Sequence, residues 1–210
     1  AESAAVVCEE IVASGGRAAV SPGDISIVEG SRSVAFAAVE AFGGLSILVN
    51  NAGVEHRASI RDHHPDDWER VLRINLQAPF LMVQATADAL VRSGNGAVVN
   101  IASVAIMGFF GQPAYDASKG GLLTLTRSLA NELGREGVRV NAVCPGFIET
   151  DMVVGDEEIL RIGERQVRTQ PLQRMGSPAE VAAAVAWLTS DQASYVTGAS
   201  LYVDGGWSRR

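Results

Sequence analysis

The spacing of apolar residues changes repeatedly along the chain, and these changes divide it into strands and helices. Leu45–Val49, Ala97–Ile101 and Val138–Val143 are short, mainly apolar runs, which are typical of parallel strands buried on both faces. Between these runs, apolar residues recur every three or four positions, the spacing of an amphipathic helix. The alternation predicts an α/β fold in which a parallel sheet lies between helices on both faces.

Glycine residues mark the ends of the first two predicted helices. The first helix is expected to end at Gly15–Gly16 and the second at Gly43–Gly44, because glycine is favoured just past a helix end. Arg17–Val20, between the two helices, is expected to form a short strand. Ser26 and Glu29 have the spacing of a capping box, which predicts the start of the second helix.

Proline residues mark the beginnings of the later helices. One long helix is expected over residues 65–92 and another over residues 113–133, each with proline at the favoured first position. The segment 147–175 is polar and has no strong periodicity. A second capping box, Ser177–Glu180, opens the last helix, and Ser200–Val203 forms the last strand.

The composition is typical of a single globular domain that spans residues 1–210. The chain has 17 basic and 24 acidic side chains and a net charge of −7, without runs of lysine or arginine. Neither nucleic acid nor an anionic membrane is therefore expected as its main partner. The longest unbroken apolar run, Val181–Leu188, is far shorter than the roughly 20 residues that a membrane-spanning helix needs.

The cysteine content argues against a disulfide framework and against a metal site. Cys8 and Cys144 are the two cysteines, and without clustered histidines they predict no zinc site. Each is expected to be a small buried apolar residue, which fits a reducing cytoplasm. The first residues, with Glu2, Glu9 and Glu10, lack the basic leader and apolar core of a signal peptide. We therefore expect a cytoplasmic protein without a metal.

Tyr115 and Lys119 form the strongest candidate for a chemically active pair. They are four residues apart on a predicted helix and so share one face. A phenol has a pKa of about 10, but a neighbouring ammonium favours the phenolate and makes it usable as an acid or base. The plainer alternative is a half-buried tyrosine and a surface lysine on an amphipathic helix.

Three further polar features stand out among the predicted elements. Ser103 follows a buried strand, at the end where loops of parallel sheets build sites. Asn75 lies in the middle of the first long helix, although asparagine is a poor helix former. Asn50–Gly53 ends another buried strand, where amide side chains can bind a ligand and glycine allows close approach. Each also has a plainer interpretation: a loop serine, a solvated polar residue and a turn.

Together these residues resemble the short-chain dehydrogenase/reductase family. Tyr-x-x-x-Lys alone is a weak pattern, but the whole set follows the family's order and spacing and extends along nearly the entire chain, which makes it highly specific. The matching features are Asn50–Gly53, Asn75, Ser103, Tyr115 with Lys119, Pro145–Gly146 with Thr150, and Val203–Gly206.

The resemblance implies hydride transfer between NAD or NADP and the carbon of a secondary alcohol or ketone. Tyr115 would give or take the hydroxyl proton, and Ser103 would orient the substrate oxygen. Lys119 would lower the pKa of Tyr115 and bind the nicotinamide ribose. Asn75 would hold a water molecule that connects Lys119 to solvent. These four residues form the implied catalytic set.

The same resemblance implies a set of cofactor contacts. Asp24 and Ile25 would border the adenine, and Asn50 would lie beside the adenosine ribose. Ile148 and Thr150 would face the nicotinamide amide. The choice between NAD and NADP stays open, because the deciding residue would follow the family's second strand. The full implied set is Asp24, Ile25, Asn50, Ala52, Gly53, Tyr115, Lys119, Pro145, Gly146, Ile148 and Thr150.

The resemblance further implies a Rossmann-like doubly wound parallel sheet in three α/β/α layers, apparently without its first βαβ unit. The family begins with a strand, a glycine-rich turn that holds the pyrophosphate and a second strand, and no Gly-x-x-x-Gly-x-Gly follows an early strand here. Without that unit the Leu45–Val49 strand loses a neighbour, and the Arg17–Val20 strand is cut off from the sheet. We therefore interpret the chain as an N-terminally truncated enzyme, whose activity the truncation could remove.

Two substrate branches fit the resemblance. The Gly146–Met152 run resembles 3-oxoacyl-thioester reductases, and the Asp204–Trp207 ending loosely resembles sugar, polyol or cyclic-alcohol dehydrogenases. Residues 106–110 would supply either an apolar pocket wall or an ordinary packed loop. Arg161–Arg168 would form either a basic lid or a solvated helix face. The alternative to an enzyme is a non-catalytic binding or scaffold protein of the same fold, which leaves the acid/base residues without a use.

Apolar residues on more than one side of the two long helices predict a homo-oligomer. A helix that is apolar nearly all round should be buried on both sides. By resemblance, the 65–92 and 113–133 helices would pair with their copies across a two-fold axis. The 181–188 helix and Ser200–Val203 would make a second contact, giving a homotetramer or at least a homodimer. The plainer alternative is that missing N-terminal elements cover one of these faces.

Overall fold

The computed structural model describes residues 2–155 and 157–209 and contains a sheet of four parallel strands. The strands are paired in the order β1-β2-β3-β4, so each strand lies beside the next one along the chain. This confirms the predicted parallel arrangement. The strands are β1 (Ile47–Asn50), β2 (Ala97–Ile101), β3 (Arg139–Pro145) and β4 (Ser200–Val203).

Helices occupy most of the segments between the strands. Short 3₁₀ turns lie at residues 104–107, 134–136, 191–193 and 207–209, and a π-helical turn spans Arg73–Gln77. The α-helices are α1 (Glu2–Ala13), α2 (Val28–Phe42), α3 (Pro65–Leu72), α4 (Ala78–Arg92), α5 (Pro113–Leu133), α6 (Asp151–Val154), α7 (Glu157–Val167) and α8 (Pro178–Thr189).

The side chains of the central strands divide between the two faces of the sheet, because successive residues of a strand point to opposite sides. Val98 and Val140 pack against residues of α4 and α5. Val99 and Val143 pack on the other face against Leu188 of α8. The sheet is thus covered on both faces, and the expected three-layer, Rossmann-like α/β architecture is confirmed.

The two long helices largely match their predicted bounds. α5 begins at Pro113 and ends at Leu133, as predicted. The 65–92 helix is divided into α3 and α4 by the π-helical turn, in which the Ala78 N–H donates to the Arg73 carbonyl five residues back. Such turns insert one extra residue into a helix and often occur at functional sites. The π-helical turn contains the buried Asn75.

β1 lies at the edge of the described sheet, which changes two expectations. Residues 17–20 form no strand, because the strand that would lie between them and β1 is not among the described elements. Ile47 and Val49 are 46% and 40% exposed, so β1 is not buried on both faces as predicted. The expectation that a further βαβ unit precedes the described elements stays a prediction.

One of the two predicted capping boxes is wrong. The Ser26 hydroxyl donates to Asp24 Oδ1 at 2.7 Å, and α2 begins only at Val28 with no side-chain cap. The second capping box is confirmed, since the Ser177 N–H donates to Glu180 Oε2 at 2.8 Å. The first pattern fails because a closer carboxylate binds the serine before it can cap the helix.

The two cysteines differ in their environments. Cys144 is fully buried, as predicted, and burial raises the pKa of its thiol to about 11. Cys8 lies on α1 and is only partly buried, so the expectation of a buried residue is wrong there. Among the described helices, none combines the length and the apolar character needed to cross a membrane.

Candidate active site

A cleft of about 930 Å³ opens at the carboxyl ends of β1, β2 and β3. Its volume lies near the upper end of the roughly 300–1,000 Å³ range of ligand pockets. The predicted residues that line it are Ala52, Gly53, Ser103, Tyr115, Lys119, Pro145, Gly146, Ile148 and Thr150. The structure therefore brings together most of the residues that the sequence singles out.

Ser103 and Tyr115 meet at the floor of this cleft. Ser103 follows the end of β2 in an extended conformation, and its Oγ accepts a hydrogen bond from the Ala105 N–H at 3.1 Å, which starts the 3₁₀ turn. Tyr115 lies in the first turn of α5. The Ser103 hydroxyl lies close enough to the Tyr115 phenol to favour its ionised form. The two hydroxyl groups are therefore neighbours in the cleft.

Lys119 lies one helical turn after Tyr115 and is almost fully buried. Its side chain is 4% exposed, and Nζ donates to the Ile101 carbonyl at 2.7 Å. The same Nζ lies 5.5 Å from the centroid of the Tyr115 ring. Desolvation disfavours the ammonium and lowers the pKa of Lys119 to about 8. The lysine therefore titrates close to neutrality.

The pKa of Tyr115 differs from the expectation. Burial raises it to about 12, and the neighbouring Ser103 hydroxyl only partly offsets this effect. The charges of Glu55 and Asp116 raise it further. The expected net lowering by Lys119 is wrong for this structure, because desolvation dominates and the ammonium is bonded to the Ile101 carbonyl.

Asn75 connects the loop after β1 to α5. The residue is 1% exposed; Oδ1 accepts from the Val54 N–H at 2.8 Å, and Nδ2 donates to the Val54 carbonyl at 2.9 Å. Nδ2 also donates to Ser118 Oγ at 3.1 Å. These three bonds give Asn75 a positioning role beside Lys119. The predicted water relay stays a prediction.

The Asn50–Gly53 segment contributes to the cleft mainly through its last residues. Asn50 is buried, and its Nδ2 donates to Asn100 Oδ1 at 2.8 Å, so its amide joins β1 to β2. Gly53 lies between two site residues: an added Cβ would be 3.4 Å from Asn75 Oδ1 and 3.5 Å from Lys119 Nζ. A larger side chain at position 53 would therefore press against both polar groups.

The end of β3 forms another part of the cleft. Pro145, Gly146, Ile148 and Thr150 all line it. Gly146 passes so close to the turn after β4 that an added Cβ would lie 2.8 Å from the Cα of Asp204. Glycine is needed here because real Cβ atoms do not approach backbone atoms so closely.

Asp24 and Ile25 are not among the described residues that line the cleft. Asp24 is exposed, and its Oδ1 accepts from the Ser26 N–H and hydroxyl, which lowers the pKa of this carboxyl. Ile25 packs against the core between the sheet and α4. Their predicted contacts with an adenine therefore stay a prediction.

Sequence reasoning missed one wall of the cleft. The segment 147–175 contains α6 and α7, and the apolar side of these helices faces the cleft through Val153, Ile159 and Ile162. The arginines of α7 are exposed, which supports the solvated-face interpretation of this segment. The helical spacing of Ile159, Ile162 and Val167 could have revealed α7.

The loop after Ser103 only partly forms the suggested apolar wall. Phe109 lines the cleft and stacks on Trp207, with ring centroids 5.3 Å apart. Phe110 and Met107 are 89% and 50% exposed and are not among the described residues that line the cleft. The loop also contributes Gln112, which together with Glu55 and Arg57 forms a polar lining that has no local sequence signature.

The lining fits a nicotinamide dinucleotide better than a metal ion. Buried Lys119 offers an ammonium, Tyr115 and Thr150 offer hydroxyl groups, and Gly53 and Gly146 allow close approach of a flat ring or a ribose. Within residues 2–155 and 157–209, no group of three or more His, Cys, Asp or Glu side chains is arranged to hold a metal ion.

Comparisons with known proteins agree with this geometry. A family model described as enoyl-(acyl carrier protein) reductase matches residues 1–208. Cyclohexanol dehydrogenase of Acinetobacter sp. is 37% identical over the whole chain and 82% of its own length. The 3-oxoacyl-(acyl-carrier-protein) reductase FabG of Thermotoga maritima is 41% identical over 80% of the chain and 68% of its own length.

A sugar dehydrogenase and a solved structure extend the comparison. Glucose 1-dehydrogenase 2 of Bacillus subtilis is 38% identical over 94% of the chain and 78% of its own length. A crystal structure described as a short-chain alcohol dehydrogenase from Sinorhizobium meliloti superposes with a TM-score of 0.92 at 35% identity, covering 98% of this chain and 82% of that one. The chain therefore belongs to the short-chain dehydrogenase/reductase family of NAD(P)-dependent oxidoreductases.

Proposed function

We propose that the protein transfers a hydride between NAD or NADP and the carbon of a secondary alcohol or ketone, with Tyr115 as the general acid/base. The observation that carries this proposal is that two neighbouring hydroxyl groups, those of Ser103 and Tyr115, line the same cleft. A carbonyl oxygen that becomes an alkoxide needs a hydrogen-bond donor and a proton donor at one point. The pair provides both.

Ser103 and Tyr115 have separate tasks in ketone reduction. The Ser103 hydroxyl donates to the substrate oxygen and fixes its position, and the Tyr115 hydroxyl donates to the same oxygen and passes its proton to it as charge develops. In alcohol oxidation the direction is reversed, and the Tyr115 phenolate accepts the proton. Holding both groups on buried elements avoids reorganisation during the reaction.

Lys119 would offset part of the desolvation that raises the pKa of Tyr115, although desolvation dominates. Its Nζ lies 5.5 Å from the tyrosine ring, and a positive charge at that distance favours a negative one. Because its pKa lies near 8, the lysine is mostly charged at neutral pH and can exchange protons readily. Asn75 keeps the loop carrying Gly53 and the helix carrying Lys119 together.

The cofactor, when bound, supplies the hydride acceptor or donor. Lys119 and Tyr115 would hold the nicotinamide ribose, and the segment containing Ile148 and Thr150 would hold the carboxamide. Ala52, Gly53, Pro145 and Gly146 would allow its close approach. The remaining predicted contacts are Asp24, Ile25 and Asn50.

The aliphatic lining of the cleft suits every substrate branch that the resemblance offers. The relatives include enzymes named for a cyclic alcohol, a sugar and an acyl thioester. The aliphatic side chains of Val153, Ile159 and Ile162 fit the carbon skeleton of any of them. The common element is a secondary alcohol or ketone.

The proposal includes a homotetramer or homodimer. Phe80 on α4 is 44% exposed, and Trp187 on α8 and Tyr202 on β4 are 40% and 37% exposed. Large apolar side chains on these two faces support the predicted pair of two-fold contacts. The alternative is that a further element of the same chain, rather than a second subunit, covers one of these apolar faces. The exposed apolar side chains of β1 are compatible with this alternative.

An isotope-transfer assay on the intact protein tests the proposed function. The protein is incubated with NADH or NADPH carrying deuterium at the reactive carbon and with cyclohexanone or a hydroxylated ketone. We expect the deuterium to appear on the carbinol carbon of the product. Absence of transfer with both cofactors and every ketone would refute the proposal.

A further inference from the structure

A polar network on one side of the cleft has no part in the proton transfer. Arg57 Nη1 donates to Glu55 Oε1 and to Gln112 Oε1, both at 3.1 Å. Gln112 Nε2 donates to Asp116 Oδ1 at 2.7 Å, and the Phe109 N–H donates to Asp116 Oδ2 at 2.6 Å. The network fixes the Arg57 guanidinium and the Glu55 carboxylate as one rigid pair.

The pair is enclosed and lies close to the reacting groups. The side chains of Glu55 and Arg57 are only 14% and 26% exposed, and both line the cleft that contains Ser103 and Tyr115. The Glu55 charge acts on the Tyr115 phenol strongly enough to raise its pKa. Gln112 directly precedes α5 and Asp116 directly follows Tyr115 on it, so the network joins the pair to the helix that carries the reacting hydroxyl group.

The lining contributed by α6 and α7 is apolar, so it cannot replace the hydrogen bonds that the charged pair loses when a substrate binds. The side chains of Val153, Ile159 and Ile162 are aliphatic, and Phe109 adds an aromatic face. A substrate that fills the cleft displaces water from the carboxylate and the guanidinium. If the substrate is hydrocarbon at that position, the lost hydrogen bonds are not replaced, which is unfavourable for charged groups.

A hydroxyl group restores both lost interactions. It can donate to the Glu55 carboxylate and accept from the Arg57 guanidinium at once. An anionic substituent has no such advantage, because Glu55 already neutralises Arg57 and its carboxylate would repel a second negative charge. The chemistry of the pair therefore fits a neutral group that both donates and accepts.

We propose that Glu55 and Arg57 select substrates that carry a hydroxyl group next to the reacting carbon, as in vicinal diols, hydroxy ketones and sugars. This inference rests on the proposed function, since the substrate must bind through Ser103 and Tyr115. Gln112 and Asp116 are positioning residues: Gln112 accepts from Arg57, and Asp116 accepts from Gln112.

Steady-state oxidation of two matched substrates tests the inference. Cyclohexanol and vicinal cyclohexanediol differ by one hydroxyl group and react at the same type of carbon. For the wild-type protein we expect kcat/KM to be at least about tenfold higher for the diol. Glu55→Gln and Arg57→Met should each lower the ratio of kcat/KM for the diol to kcat/KM for cyclohexanol about 10- to 100-fold. The ratio isolates the selectivity, because the effect of the Glu55 charge on Tyr115 is common to both substrates.

Arg61→Met is the matched control, because Arg61 is an exposed arginine of the same loop outside the cleft lining. It should leave the ratio between the two substrates unchanged. A wild-type protein that oxidises both alcohols equally well overturns the selectivity and leaves the proposed function intact. Equal losses for both substrates in the variants overturn it too, since they indicate a structural role. Absence of turnover with any alcohol refutes the proposed function and this inference together.

Discussion

The two sides of the cleft are built in different ways. On the reacting side, Ser103, Tyr115 and Lys119 lie at the end of β2 and on α5, and the side chains of Ser103 and Lys119 are held by hydrogen bonds to backbone groups. On the opposite side, α6 and α7 line the cleft with aliphatic side chains. α7 is held there by packing, since a Cβ added at Gly163 would lie 3.0 Å from the Phe147 ring and 2.8 Å from Met175 Cε.

The difference indicates that one side of the cleft performs the proton transfer and the other side accommodates the body of the substrate. Proton transfer needs hydroxyl groups fixed within a few tenths of an ångström, which directional hydrogen bonds on buried elements can provide. Dispersion contacts are non-directional, so the aliphatic wall can be reshaped without disturbing the floor. Substitutions on the reacting side should therefore alter kcat, and substitutions on the α7 side should alter KM.

The largest effect is expected at the Tyr115 hydroxyl. Tyr115→Phe removes the proton donor and keeps the ring that packs beside Lys119. We expect kcat/KM to fall roughly 10²- to 10⁴-fold, the usual value of general acid–base assistance. Steady-state kinetics with the nicotinamide absorbance as readout measure this. Tyr195→Phe, at a fully exposed tyrosine, is the control and should leave the rate unchanged. Near-normal turnover of Tyr115→Phe would contradict the assignment of proton transfer to the reacting side of the cleft.

Asn75→Ala should produce the next largest effect, on stability. The change removes three hydrogen bonds of a buried amide and leaves the Val54 N–H and carbonyl without their partner. We expect a loss of about 2–4 kcal/mol in the free energy of unfolding, measured by urea denaturation. Asn95→Ala, at an exposed asparagine, should stay within about 0.5 kcal/mol of wild type. A similar loss in the free energy of unfolding in both variants would contradict the positioning role of Asn75.

Lys119→Met should change how stability depends on pH. The pKa of Lys119 falls from its ordinary value of 10.5 to about 8 on folding, so between these values the unfolded state binds more protons than the folded state. The free energy of unfolding of the wild type should therefore rise from pH 8 to pH 9.5, by roughly 2 kcal/mol relative to the variant. Parallel denaturation curves at the two pH values measure this difference. Identical pH dependence in both proteins would contradict the lowered pKa.

The smallest effect is expected on the α7 side. Gly163→Ala introduces a Cβ against Phe147 and Met175 and shifts α7 outward, while alanine favours the helix itself. We expect the KM for the alcohol to rise a few-fold with kcat nearly unchanged, because the floor is not touched. Gly120→Ala is the control, since open space surrounds that position on α5. A loss of kcat in Gly163→Ala would show that the two sides are coupled.

The reacting side could be predicted from the sequence because its signals are local. Pro113 fixes the start of α5, and the four-residue spacing places Tyr115 and Lys119 on one face of it. The buried runs of β2 and β3 place Ser103 and Gly146 at the same end of the sheet. These inferences need only helix and strand periods, which the sequence contains.

The other features depend on distant contacts, which a sequence does not display. Arg57 and Gln112 are 55 residues apart and come together only in the folded chain. Ser26 was expected to cap α2 but bonds to Asp24, a competition between two local patterns that spacing alone does not decide. Residues 17–20 lie between turn signals, as a short strand would, but a strand also requires a neighbour.

The central claim is that Tyr115 supplies the proton in the step that transfers the hydride. The most direct test is the solvent deuterium isotope effect on single-turnover ketone reduction, measured for the wild type and for Tyr115→Phe with bound cofactor. The account predicts a normal isotope effect in the wild type that disappears in the variant, while cofactor affinity stays nearly the same. An isotope effect of equal size in both proteins would contradict it, because the proton would then come from another group.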